Sequence, residues 1–126
     1  MREVISTPNA PSSPLYSQAV RIGSTVYVSG MAGIDVATKR LAGATIQEQT
    51  RQALRNCAVV VDAAGGTLDD VVQVMVLLAD PADFAGMNEE YEKVFAVDPP
   101  ARAVAKLGVD LPDLLVSIMM TAHVEG

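Results

Sequence analysis

Tryptophan is missing from this chain, and cysteine and histidine each occur once, as Cys57 and His123. A lone cysteine excludes an internal disulfide and a cysteine-rich metal site. A lone histidine removes the usual basis of a histidine zinc centre, and leaves no histidine pair for acid–base cleavage of RNA. Aromatics are scarce, with three tyrosines and two phenylalanines, so there are few platforms for stacking on bases. Positive charge is scarce too: nine basic residues against fifteen acids give a net charge of −6 and a pI near 4.5. Nonspecific nucleic-acid affinity rests on clustered Lys and Arg, so nucleic acid is not an expected partner. The longest strictly apolar run, Val74 to Ala79, falls far short of the roughly 18 residues that span a bilayer. The opening residues, Met1-Arg2-Glu3-Val4-Ile5-Ser6, lack the apolar stretch of a signal peptide. These absences predict a reduced, soluble, cytoplasmic protein without a membrane partner.

What is present suits one globular domain. The chain has 126 residues, of which 50% are hydrophobic and 19% charged. That length is typical of a single domain, and that much apolar material fills one core. No internal repeat, linker or low-complexity stretch divides residues 1–126.

The first thirty residues read as extended. Thr7-Pro8-Asn9-Ala10-Pro11-Ser12-Ser13-Pro14 is a proline-rich loop whose fixed φ angles exclude helix. Ala19-Val20-Arg21-Ile22 and Thr25-Val26-Tyr27-Val28-Ser29 flank Gly23-Ser24 and predict a hairpin. Residues 31–44 read as a second loop. Thr45-Ile46-Gln47-Glu48 then fits a capping box, the reciprocal side-chain capping that starts a helix. Ile46, Thr50, Ala53, Leu54, Cys57 and Val61 recur at helical spacing and form one apolar stripe. Gly65-Gly66 ends it, because glycine accepts a left-handed backbone.

Val71 to Ala79 reads as a strand buried on both faces, being almost continuously apolar. Asp80-Pro81-Ala82-Asp83 predicts a second helix start, with Phe84, Met87, Tyr91 and Phe95 on its buried side. Asp98-Pro99-Pro100 stops it. Ala101–Leu107 and Leu114–Val124 complete the pattern as strands. The order β-β-β-α-β-α-β-β, with helices on one face of a mixed sheet, is an α+β domain. The apolar strands at 71–79 and 114–122 require a cover for the second face, and another copy of the chain supplies it.

Few residues are placed to carry chemistry. No dinucleotide or phosphate loop and no zinc-protease motif occurs. Ser117 and His123 lie six residues apart on one predicted strand, roughly 20 Å at about 3.3 Å per residue, too far to pair. Arg102 sits in Pro99-Pro100-Ala101-Arg102-Ala103-Val104-Ala105, where a planar guanidinium among small apolar neighbours can hold a carboxylate. An edge-strand arginine or a partner for an acid accounts for the same pattern. Ser117 interrupts an apolar run and needs a hydrogen-bond partner, from the backbone or from a ligand. Tyr16 follows the proline-rich loop, where it caps a pocket or simply packs. Asn88 reads as a polar helix residue, and Cys57 as a small structural hydrophobe.

An ordered set of segments resembles the RidA/YjgF family, whose members are also called endoribonuclease L-PSP or translation inhibitors. These are Tyr16-Ser17-Gln18-Ala19-Val20, Val28-Ser29-Gly30, Gln49 to Asn56, Ala63-Ala64-Gly65, Asp70-Val71-Val72, Asp83-Phe84, Asn88 with Tyr91 and Phe95, and Pro100-Ala101-Arg102. The resemblance implies a chorismate-mutase-like fold for the whole chain, and a homotrimer with three inter-subunit clefts. It implies hydrolysis of reactive 2-imino or 2-enamino acids to 2-keto acids and ammonia, without metal or organic cofactor. Within it, Arg102 matches the arginine that grips the small carboxylate substrate. Tyr16, Gly30 and Asn88 match further substrate-binding positions.

The sequence also departs from the family pattern. Ala103 stands where a serine usually follows the arginine, Met31 where a glutamine follows Ser-Gly, and Pro14-Leu15 where Gly-Pro precedes the tyrosine. Ser117 stands where the deaminase branch carries a glutamate, which makes Ser117 the second expected catalytic position beside Arg102. A neutral hydroxyl orients water but is a far weaker base than a carboxylate. The expectation is therefore a weakened or redirected deaminase. The alternative is a noncatalytic trimer that binds keto acids or other small carboxylates.

Overall fold

The computed structural model describes residues 1–125. The hairpin forms as its turn chemistry dictates. Gly23 takes a φ of +58°, the left-handed region that favours glycine, and turns Ala19–Ile22 (β2) back into Thr25–Ala32 (β3). Arg2–Ile5 (β1) pairs with the outer edge of β2. Gln18 fixes the proline-rich loop between them. Its buried amide donates to the carbonyls of Thr7, Ala10 and Pro11 and accepts from the Thr7 amide.

The region read as a loop after residue 30 is more ordered than expected. β3 continues to Ala32, and Ile34–Asp35 (β4) pairs with Arg40–Leu41 (β5) in a small hairpin. Asn56 from the helix layer ties this hairpin down by donating to the carbonyls of Ala32 and Ile34.

Helix α1 spans Ile46–Ala63 and starts with the expected capping box between Thr45 and Glu48. At its other end the Gly65 amide donates to Asp62 and the Gly66 amide to Val61, with Gly65 at φ +91°. That pair of bonds closes a Schellman motif. All six residues of the anticipated stripe are buried, and so are Gln49, Asn56 and Val60.

Val71–Leu78 forms β6. Asp80 then caps a short 3-10 turn, Pro81–Asp83, and α2 follows over Phe84–Val94. Met87, Tyr91 and Phe95 are buried, but Phe84 is 46% exposed. The 3-10 turn puts Phe84 at the helix's first position, where it flanks Arg102 instead of entering the core. Ala101–Lys106 (β7) and Val116–His123 (β8) complete the chain.

The six-stranded sheet runs β1-β2-β3-β8-β6-β7. Its pairs are antiparallel except β6 with β7, which α2 connects as a crossover. Both helices lie on one face, over Val26, Val28, Val74, Val76, Val116, Ile118 and Met120. This is the chorismate-mutase-like α+β architecture. Within one chain β6 is covered on one face only, which leaves the second face open for the cover its apolar residues call for. Val74, Val76 and Leu78 are buried under the helices, whereas Met75 and Leu77 are only half-buried on the opposite face. Met119, 42% exposed, and Tyr27 share that open face. No helix is long and apolar enough to cross a membrane among the described residues.

Candidate functional site

Arg102 lies on β7, the last strand of the sheet, opposite Val74 of β6. Its side chain turns to the helix-covered face and meets α2. There Nη1 donates to Oδ1 of Asn88 at 2.8 Å. The guanidinium carbon stands 4.7 Å from the ring centroid of Tyr91 and 5.8 Å from that of Phe84. Two aromatic faces and one amide thus fix an exposed cation, an arrangement that favours the planar guanidinium over an ammonium. Nε and Nη2 have no hydrogen-bond partner among the described residues. A carboxylate can therefore dock on the free part of the fork. The hollow beside it holds about 390 Å³ and is walled by Tyr91, Phe95, Pro99 and Pro100.

Tyr91 itself is buried, and its hydroxyl lacks a partner among the described residues. Burial raises its pKa, partly offset by the nearby Arg102 charge. The phenol therefore stays neutral, and the charged side chains lining this hollow are Arg102 and Glu92.

Gly30 and Ser117 form the second group. β3 bulges between Val28 and Met31, and the bulge brings Gly30 against β8. A Cβ added at Gly30 would lie 2.8 Å from Ser117 Oγ. The missing side chain is thus what gives the hydroxyl its space. Ser117 is half-buried on the open face of the sheet, paired with Leu77 of β6 and Ala32 of β3. Tyr16 is exposed on the loop before β2, beside Ser17 and Ser29 in a shallow hollow of about 580 Å³.

The sequence-derived candidates therefore fall into two groups. Arg102 and Asn88 are brought together, as are Gly30 and Ser117, while Tyr16 lies in a separate hollow beside Ser29, the chain neighbour of Gly30. The two groups do not meet. Strand β6 lies between β8 and β7, so two strand spacings, roughly 10 Å, separate Ser117 from the β7 backbone. Arg102 and Ser117 also face opposite sides of the sheet.

The remaining candidates are structural. Cys57 is fully buried against the Ile118 carbonyl, and burial pushes its thiol up to about 12. His123 is exposed and lies 3.4 Å from Glu125. No group of three His, Cys, Asp or Glu side chains is placed to hold a metal among the described residues. Sequence reasoning missed Tyr91 and Phe84 as neighbours of Arg102. Their helical spacing marked only a buried face, and nothing local to Arg102 pointed to α2.

A mixed sheet backed by two helices, with a polar group presented at its edge strand, defines the chorismate-mutase-like class of small α+β proteins. The comparisons narrow this further: the family model described as Endoribonuclease L-PSP matches residues 7–124, and the chain belongs to that family, the RidA/YjgF proteins. A RutC family protein of Pyrococcus horikoshii is 40% identical over 99% of this chain and 100% of its own length. The human 2-iminobutanoate/2-iminopropanoate deaminase is 42% identical over 82% of this chain and 76% of its own. The solved structure of Escherichia coli TdcF with bound serine superposes with a TM-score of 0.90 at 29% identity, covering 98% of this chain and 99% of that one.

Proposed function

We propose that this chain is an imine deaminase, hydrolysing 2-iminobutanoate, 2-iminopropanoate or a related imino acid to the 2-keto acid and ammonia. The observation that carries this reading is the Arg102 fork, held by Asn88 and Tyr91 with Nε and Nη2 left open. It supplies the carboxylate anchor that such a substrate needs. The named activity of the human relative and the serine bound to TdcF, a small amino-acid carboxylate, support it.

The chemistry asks little beyond positioning. Arg102 holds the carboxylate and so fixes the adjacent C=N carbon. Water adds to that carbon, forming a C–O bond while the imine nitrogen takes a proton. The C–N bond then breaks, ammonia leaves and the carbonyl forms. An enamine first takes a proton at its carbon and gives one up from its nitrogen, becoming the imine. Ser117 accepts a hydrogen bond from the attacking water, and Gly30 leaves room for both. Because Ser117 lacks the basicity of a carboxylate, acceleration is modest. Tyr16 closes the site over the ligand.

Arg102 and Ser117 are too far apart, and on opposite faces, to act on one ligand within one chain. The proposed site therefore takes the Arg102–Asn88 edge from one copy and Tyr16, Gly30 and Ser117 from the next. A trimer also covers the open sheet face that carries Met75, Leu77 and Met119. Light scattering is expected to give about 40 kDa rather than the 13.2 kDa of one chain.

A second reading rests on Ser117 itself. With a hydroxyl in place of a carboxylate, the cleft retains its anchor but has no strong base, which suits a noncatalytic binder of small carboxylates. Ammonia release from freshly generated 2-iminobutanoate separates the two. Acceleration above the spontaneous rate supports the deaminase. No acceleration, with 2-oxobutanoate still bound in calorimetry, supports the binder.

A further inference from the structure

Three of the nine basic residues, Arg51, Arg55 and Lys93, line one groove between α1 and α2. This is notable in a chain of net charge −6. The groove lies on the other side of α2 from the Arg102 hollow: Glu90, Lys93 and Val94 face it, whereas Asn88, Tyr91 and Phe95 face Arg102. It is therefore independent of the proposed deaminase site.

The floor of the groove contains a buried charge. Glu90 is only 5% exposed and accepts from Arg51 Nε at 3.0 Å and from Lys93 Nζ at 2.8 Å. These hydrogen bonds hold its carboxyl below the usual carboxylate range. A buried carboxylate is costly in a helix–helix seam unless fully paired, and here it is paired on both oxygens. It also pins Arg51 by Nε, so that Nη1 and Nη2 have no protein partner among the described residues. Arg55, one turn further along α1, makes no ion pair or side-chain hydrogen bond among the described residues. Beside these unpaired donors stand apolar walls from Leu54, Leu68 and Val94.

We propose that this groove binds a small amphipathic monoanion, a carboxylate on an aliphatic body of about four to eight carbons. Its volume of about 310 Å³ suits a molecule of that size and is too small for a helical peptide segment. The carboxylate lies on Arg55 and the free edge of Arg51, in the planar geometry guanidinium groups favour. The aliphatic body covers Leu54, Leu68 and Val94. A single negative charge fits better than a phosphate dianion, because Glu90 and the acidic background repel the second charge.

The test is a titration of the intact wild-type protein with sodium hexanoate, followed by amide NMR, with 1-hexanol as the neutral control. Saturable shifts are expected at Arg51, Arg55, Leu68 and Lys93, with 1-hexanol about tenfold weaker at the same amides. Arg55→Gln is expected to weaken hexanoate about threefold while leaving the melting temperature unchanged. Shifts confined to Asn88 and Arg102, equal binding of hexanol, or unchanged affinity in a folded Arg55→Gln protein would each overturn the proposal.

Discussion

Asn88 and Arg102, fourteen residues apart on α2 and β7, are joined by a 2.8 Å hydrogen bond from the guanidinium to the amide oxygen. The direction of that bond matters. The amide oxygen occupies one nitrogen of the fork without neutralising its charge, so the arginine remains a cation for a ligand. Asn88→Asp would put a carboxylate in the same place and compete with the substrate's own. The expected result is a KM or keto-acid Kd raised about tenfold, with little change in kcat. Calorimetry with 2-oxobutanoate on wild type and variant checks it.

Two glycines predict opposite outcomes on substitution. Gly33→Ala places a Cβ 2.7 Å from the Cα of Gln49, where backbone must move, so the protein is expected to lose more than about 2 kcal/mol. Gly30→Ala meets only the Ser117 hydroxyl, which rotates away at a cost below about 1 kcal/mol. Thermal melts distinguish them. Gly30→Ala is expected to fold and yet lose activity, because it displaces the hydroxyl proposed to orient water.

Acid sensitivity should be traceable to the helix seam. Hydrogen bonds from Arg51, then Lys93, hold the Glu90 carboxyl below its ordinary value. A group with a folded pKa below its unfolded one, here about 4.3, contributes stability that is complete above that value. The contribution is lost as pH falls through the folded pKa. Glu90→Gln removes it, so its urea midpoint should fall below wild type at pH 7, with the gap narrowing towards pH 3.

The separation of Arg102 from Ser117 predicts complementation between copies. Arg102→Ala and Tyr16→Ala proteins should each be impaired alone. Refolded together in equal amounts, about a quarter of the sites draw both intact groups from different chains. Activity well above either parent supports a shared site. An average of the two parents would mean that each chain builds its own.

Much of this architecture is readable from short-range patterns. The α1 stripe, its capping box and the Gly65-Gly66 stop depend on neighbours within one turn, and all form as the residues dictate. Arg102 stands out for a similar reason, as a lone charge among small apolar residues. Long-range features are not readable in this way. Gln18 and Asn56 are ordinary polar residues in the sequence, yet their buried amides hold the loop at 7–11 and the hairpin at 34–41. Tyr91 and Phe84 reach Arg102 only because the crossover sets α2 beside β7. The run at 71–79 reads as a strand buried on both faces because its apolar content encodes a requirement for cover that one chain does not meet.

In the proposed reaction Arg102 anchors the carboxylate of an imino acid. The most direct test of that role is ammonia release from freshly generated 2-iminopropanoate, with wild type, Arg102→Lys and Arg102→Ala compared at matched oligomer concentration. Acceleration is expected with wild type, a rise in KM with Lys, and a return to the spontaneous rate with Ala. Equal acceleration by all three folded proteins would contradict that role.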